Sequence, residues 1–93
     1  EERHVPRVYA LEQNYPNPFN PVTNFEFRIP DYGLVSLNIY DVIGREIAII
    51  VNDEMTPGTY KAEWNASEYP SGVYFYKLIA GNVTLEKKMV LIK

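Results

Sequence analysis

The chain has no cysteine and a single histidine, His4. Without cysteine there is no disulfide framework and no thiolate metal site, while the redox compartment stays open. The one histidine sits in a charged, unpatterned N-terminal stretch, so no preorganised Ser-His-Asp triad can be built on it. No apolar run approaches the roughly 20 residues that a membrane-spanning helix needs. Glu1-Glu-Arg-His4 has no apolar segment of the signal-peptide kind, so a signal peptide is expected upstream if the protein is exported. Positive charge is not in excess: 9 Lys and Arg against 12 Asp and Glu give a net charge of −3. No basic field exists for nucleic acid.

The residues that are present are rich in β signals. Ninety-three residues make one domain, and an apolar content of 46% suffices for a modest core. Glu1 to Ala10 reads as a linker or chain edge, and residues 11–93 as the folded unit. The most informative run is Leu11-Glu-Gln-Asn-Tyr-Pro-Asn-Pro-Phe-Asn-Pro21. Pro16, Pro18 and Pro21 forbid a helix and impose an extended, turning strap. Asn14, Asn17 and Asn20 are expected to close Asx-type turns, and Tyr15 and Phe19 to pin the strap onto a core. Such a strap would close one edge of a sheet that otherwise invites aggregation.

Beyond the strap the period is two. Phe25, Phe27 and Ile29 alternate with Glu26 and Arg28, and Val35, Leu37 and Ile39 come next, after the turn Pro30-Asp-Tyr-Gly33. Asp41-Val-Ile-Gly44 is a tight connection in which Gly44 supplies a positive φ. The next segment, Arg45 to Val51, is expected to point Ile47, Ile49 and Val51 one way. Asn52 to Gly58 reads as a loop, and Tyr60, Ala62 and Trp64 alternate with Lys61 and Glu63. A second loop closes on Pro70-Ser-Gly72, Val73 to Ile79 suits a central strand, and Gly81-Asn82 turns the chain into the last strand. The register of that strand stays open, since Leu85, Met89 and Leu91 compete with Val90 and Ile92 for the inward face. Six strands in this spacing indicate a sandwich or small barrel.

Chemistry is sparse. Asp31, Asp41, Asp53 and Glu54 lie in or beside turns and are expected to close them. Asn52, Asp53 and Glu54 cluster oxygens that suit calcium, but their spacing matches no ligand loop. Trp64, Tyr60, Tyr74 and Tyr76 could form a sugar-stacking row, although Trp64 and Tyr60 read better as core; Tyr32 and Tyr69 belong to turns and should be exposed. Asn65-Ala-Ser67 and Asn82-Val-Thr84 match an acceptor pattern that arises often by chance, and both read as turns. No catalytic residues, cofactor or metal emerge.

The blocks LEQNYPNPFNPVTNFEFRIP, YDVIGREI, SGVYFYKL and KKMVLIK resemble the type A C-terminal sorting domain of the bacterial type IX (Por) secretion system. The resemblance implies an all-β fold, an immunoglobulin-like antiparallel sandwich of six to seven strands. It implies a non-catalytic secretion signal that directs a larger upstream cargo through the periplasm to the cell surface or outside. The partners implied are the outer-membrane translocon components and the cargo, with no nucleic acid and no membrane span. Lys87, Lys88, Met89, Val90, Leu91, Ile92 and Lys93 are the expected recognition segment, through which weak dimerisation is also expected. Tyr15, Pro16, Asn17, Pro18, Phe19, Asn20, Pro21, Gly44 and Gly72 would secure the fold. The rival readings are a carbohydrate-binding module and a structural immunoglobulin-like spacer of a secreted hydrolase.

Overall fold

The computed structural model describes residues 6–93; His4 lies outside the described residues. Seven strands succeed one another: β1 (Ala10–Leu11), β2 (Val22–Ile29), β3 (Gly33–Tyr40), β4 (Glu46–Met55), β5 (Gly58–Asn65), β6 (Gly72–Ala80) and β7 (Val83–Leu91). They form two antiparallel sheets, one ordered β1-β2-β5 and the other β4-β3-β6-β7. The protein is an immunoglobulin-like β-sandwich, because each sheet has one apolar face and the two faces can be buried only against each other.

The alternation places the core. Phe25, Phe27 and Ile29 of β2 meet Val35, Leu37 and Ile39 of β3 and Tyr74, Tyr76 and Leu78 of β6, all of them buried. Phe25 lies 4.7 Å from the Tyr76 ring centroid, and Phe27 stacks on Tyr60 at 5.7 Å. Such pairs add about 0.5–1.5 kcal/mol beyond their buried area. In β7 the open register resolves in favour of Met89 and Leu91, which are buried, with Leu85 packed beside them. Ile92 is left outward.

β4 departs from the expected pattern. Ile49 is 58% exposed, whereas Ile47, Ala48, Ile50, Val51 and Met55 pack on the core. The register against β3 slips between Leu37 and Asn38 and again between Ile39 and Tyr40. Each slip inserts an extra residue and reverses the facing of the residues beyond it, so no single parity runs through β4. The segment expected as a loop from Asn52 is also strand. Asn52 to Met55 pair with Gly33 to Ser36, and only Thr56 and Pro57 remain as the connection. Asn52, Asp53 and Glu54 therefore run along an extended strand, where successive side chains point to opposite faces.

The β3–β4 connection is built as expected. Gly44 has φ of +89°, and its N–H donates to the Asp41 carbonyl at 3.0 Å. Asp41 Oδ1 accepts from the backbone N–H of Ile43 (3.1 Å) and Arg45 (2.9 Å), while Oδ2 accepts from Arg45 Nε at 2.7 Å. The Arg45 backbone N–H, aided by its guanidinium, holds the Asp41 carboxyl below the usual carboxylate range against the opposing effect of burial.

The surface around the last strand

The strap, not a strand, lies against the free edge of β7. Phe19 donates its N–H to the Val90 carbonyl (3.0 Å) and accepts from the Ile92 N–H (2.9 Å), a parallel bridge that also pairs it with Leu91. Asn17 Oδ1 accepts from the Val90 N–H at 3.0 Å, and Gln13 Nε2 donates to the Lys88 carbonyl at 2.8 Å. From Lys88 to Ile92 the edge is thus largely satisfied by the chain itself. Asn17 spends its side chain on β7 rather than on an Asx turn.

Phe19 is the strap's buried aromatic anchor, with Leu11 buried at its start. Phe19 is 2% exposed and lies 6.0 Å from the Trp64 ring. Tyr15 does not pin the strap: its side chain is 78% exposed, and only its backbone holds, in a reciprocal pair with Asn24. An extended backbone sends Tyr15 and Phe19, four residues apart, to one face only if no turn intervenes, and the prolines between them are such turns. The bonds Tyr15–Pro16, Asn17–Pro18 and Asn20–Pro21 are cis. Pro16, Asn17, Pro18 and Asn20 are exposed, Pro21 is half-buried, and Gly44 and Gly72 are exposed.

A buried polar network fixes the strap to the core, and its members are largely absent from the expected set. Asn14 donates Nδ2 to Thr23 Oγ1 (2.9 Å) and to the Pro16 carbonyl (3.2 Å), and Thr23 Oγ1 donates to that same carbonyl (2.8 Å). The Tyr76 hydroxyl accepts from the Asn14 N–H and donates to the Glu12 carbonyl, both at 2.8 Å. Burial pushes the Tyr76 phenol up to about 12. The signal in the sequence is an Asn two residues before the first proline, together with the tyrosines at alternate positions of β6. Neither names its partner.

The recognition residues expected from sequence are divided by the pleat. Met89 and Leu91 are core; Lys87 and Val90 are half-buried; Lys88, Ile92 and Lys93 are exposed. Lys93 is nonetheless held. Its Nζ donates to the carbonyls of Ser67 (2.7 Å) and Tyr69 (2.9 Å), and its N–H donates to Ser71 Oγ at 2.9 Å. Beside this loop opens a groove of about 610 Å³, between Val73-Tyr74 and the β3–β4 tip, where Val42 and Ile43 stand exposed.

Residues 13–93 match the family described as the secretion system C-terminal sorting domain. The chain belongs to that family. It is a type IX secretion sorting domain, and the family accounts for nearly the whole described fold. A sorting domain of this kind marks a protein for export to the cell surface or beyond, and implies both a cargo and a secretion machinery. No curated protein matches the chain. Among the described residues, no helix is long and apolar enough to cross a membrane.

The strand aromatics of this sorting domain weighed as a sugar-stacking row are mostly interior. Trp64, Tyr74 and Tyr76, three of the four rings, are buried. Tyr69, expected in solvent, is half-buried and packs 5.4 Å from Trp64, with its hydroxyl donating to the Ile47 carbonyl at 3.0 Å. The loop folds inward because the ring fills the space beside the indole. Tyr32 is exposed as expected.

Proposed function

We propose that this sorting domain acts as a folded, non-catalytic recognition tag, carried at the end of a larger cargo through the periplasm to the outer-membrane translocon. What supports the reading is the disposition of the two ends. Tyr9 lies beside Gly81, at the β6–β7 turn, so the chain leads in at that end of the sandwich. Lys93, Val42, Ile43 and the groove beside Tyr69 lie at the opposite end. A cargo joined upstream leaves that far end and the exposed side of β7 open to a receptor. The rigid sandwich presents them with little ordering cost on binding.

In this proposal the groups read by the machinery are the exposed ones, Lys88, Ile92 and Lys93, with Lys87 at the margin. Met89, Val90 and Leu91 contribute by holding β7 in place. The deciding experiment is export of a fluorescent reporter, with a periplasmic signal peptide and this domain at its C-terminus, in a bacterium that has type IX machinery. The wild-type fusion is expected outside the cell. Lys87→Ala with Lys88→Ala is expected to be retained more while melting at nearly the same temperature. Equal export of the two would remove the lysines from recognition, and retention of a folded wild-type fusion would end the sorting reading.

A further inference from the structure

The geometry points to a second copy of this chain as the partner of the β5 edge, joined by antiparallel pairing about Ala62. β5 is the outer strand of the three-stranded sheet, and among the described residues no strand lies beyond it. The Ala66 N–H donates to the Pro21 carbonyl at 2.8 Å, extending the β2–β5 register by one pair beyond Val22–Asn65. Hydrogen-bonded pairs in an antiparallel ladder alternate, so they fall on Thr23–Trp64, Phe25–Ala62 and Phe27–Tyr60. The backbone N–H and C=O of Thr59, Lys61, Glu63 and Asn65 therefore point away from β2. That is a row of unpaired donors and acceptors, which an added strand satisfies.

The side chains select the occupant. Lys61 and Glu63 are exposed and belong to none of the ion pairs among the described residues. A two-fold axis at Ala62 sets Lys61 opposite Glu63 of the second copy, and Glu63 opposite its Lys61. Thr59 then faces Asn65. Both charge pairs are attractive and lie on hydrogen-bonded positions, so backbone and side chains agree on one register. The other edges do not offer this: β1 is only two uncharged residues, Ala10–Leu11. β4 carries Glu46, Asp53 and Glu54 with no lysine or arginine from Glu46 to Met55, so two copies repel. β7 is occupied by Gln13, Asn17 and Phe19.

The axis also suits a fused cargo. Gly58 begins β5 opposite Ile29, at the end of the sandwich where β1 pairs with Arg28. Antiparallel pairing sends the two N-terminal ends in opposite directions, and the cargoes stay apart.

The test is sedimentation equilibrium of the 93-residue chain up to its solubility limit, with circular dichroism to confirm folding of each variant. The wild type is expected to dimerise reversibly and to dissociate at high salt. Lys61→Glu alone places glutamates opposite glutamates and is expected to be monomeric; Glu63→Lys alone places lysines opposite lysines and is expected to be monomeric too. An equimolar mixture of the two restores every attractive pair, and should dimerise as the wild type does. If Lys61 is only a guard against edge aggregation, reversing its sign leaves association unchanged. A monomeric wild type, or folded single variants that dimerise like it, or a mixture that stays monomeric, each overturns the proposal. The edge would then be left to a strand of the cargo or of the machinery.

Discussion

Single residues decide how firmly the strap is held. The Tyr76 hydroxyl is the one polar group that ties the core of β6 to the strap backbone, accepting from Asn14 and donating to Glu12. Tyr76→Phe keeps the ring and leaves both backbone groups without their partner. It is expected to cost about 1–3 kcal/mol, read as a lower midpoint in denaturant. The phenol also sets a pH signature. Its pKa is about 12 in the fold against an ordinary 10.0, so the unfolded chain loses this proton first as pH rises. The contribution is complete below pH 10.0, and is lost progressively as pH rises to about 12. Stability measured across that window should fall more steeply for the wild type than for Tyr76→Phe. Equal slopes would place the hydroxyl in water.

At the level of elements, the strap and β7 form one unit. Phe19→Ala removes the only buried aromatic anchor of the strap and leaves a cavity against Trp64 and Leu91. A loss of about 3–5 kcal/mol is expected. Tyr15→Ala, by contrast, alters an exposed side chain whose backbone pairing with Asn24 survives, and should stay within about 0.5 kcal/mol of wild type. Equilibrium unfolding of the two variants side by side checks both, and similar losses would contradict the anchor assignment. Asn17→Ala releases the Val90 N–H at an exposed edge, where water replaces the lost acceptor. Its effect should therefore be seen as faster hydrogen exchange at Val90 rather than as a large fall in stability. β4 shows the same dependence on neighbours in another form. Two register slips against β3 turn Ile49 outward, so its exposure is a property of the pair.

The described sandwich has two ends and four sheet edges, of which β1 is only two residues long and the other three are handled differently. β7 is closed by the strap, β4 bears only acidic charge, and β5 is open and self-complementary in sign. Deleting Lys87 to Lys93 to test secretion removes Met89 and Leu91 from the core and the Phe19 bridge from the strap. Such a truncation is expected to unfold the sandwich, measured as loss of the cooperative thermal transition. Its retention inside the cell would therefore report misfolding. Surface substitutions at Lys87 and Lys88 are the informative ones for that reason.

The class of fold and the family are legible in the chain before any contact is known. Period-two alternation in β2, β3 and β5 dictates which face is buried, because side-chain direction in a strand comes from local geometry alone, whereas β6 is apolar on both faces and declares neither. Pro16, Pro18 and Pro21 exclude a helix, and Gly44 takes the positive φ that its turn requires, again on local grounds. Folding in three dimensions was needed for the rest: which of Tyr15 and Phe19 reaches the core, where β4 slips, that Tyr69 turns inward, and that Asn14 meets Tyr76 across 62 residues. The phase of β7, with Met89 and Leu91 inside and Lys88 and Ile92 outside, belongs to the same group. Its apolar residues occupy both parities, so hydrophobicity alone selects neither face. What selects it is pairing with β6 on one side and the strap on the other, and those are contacts between distant parts of the chain.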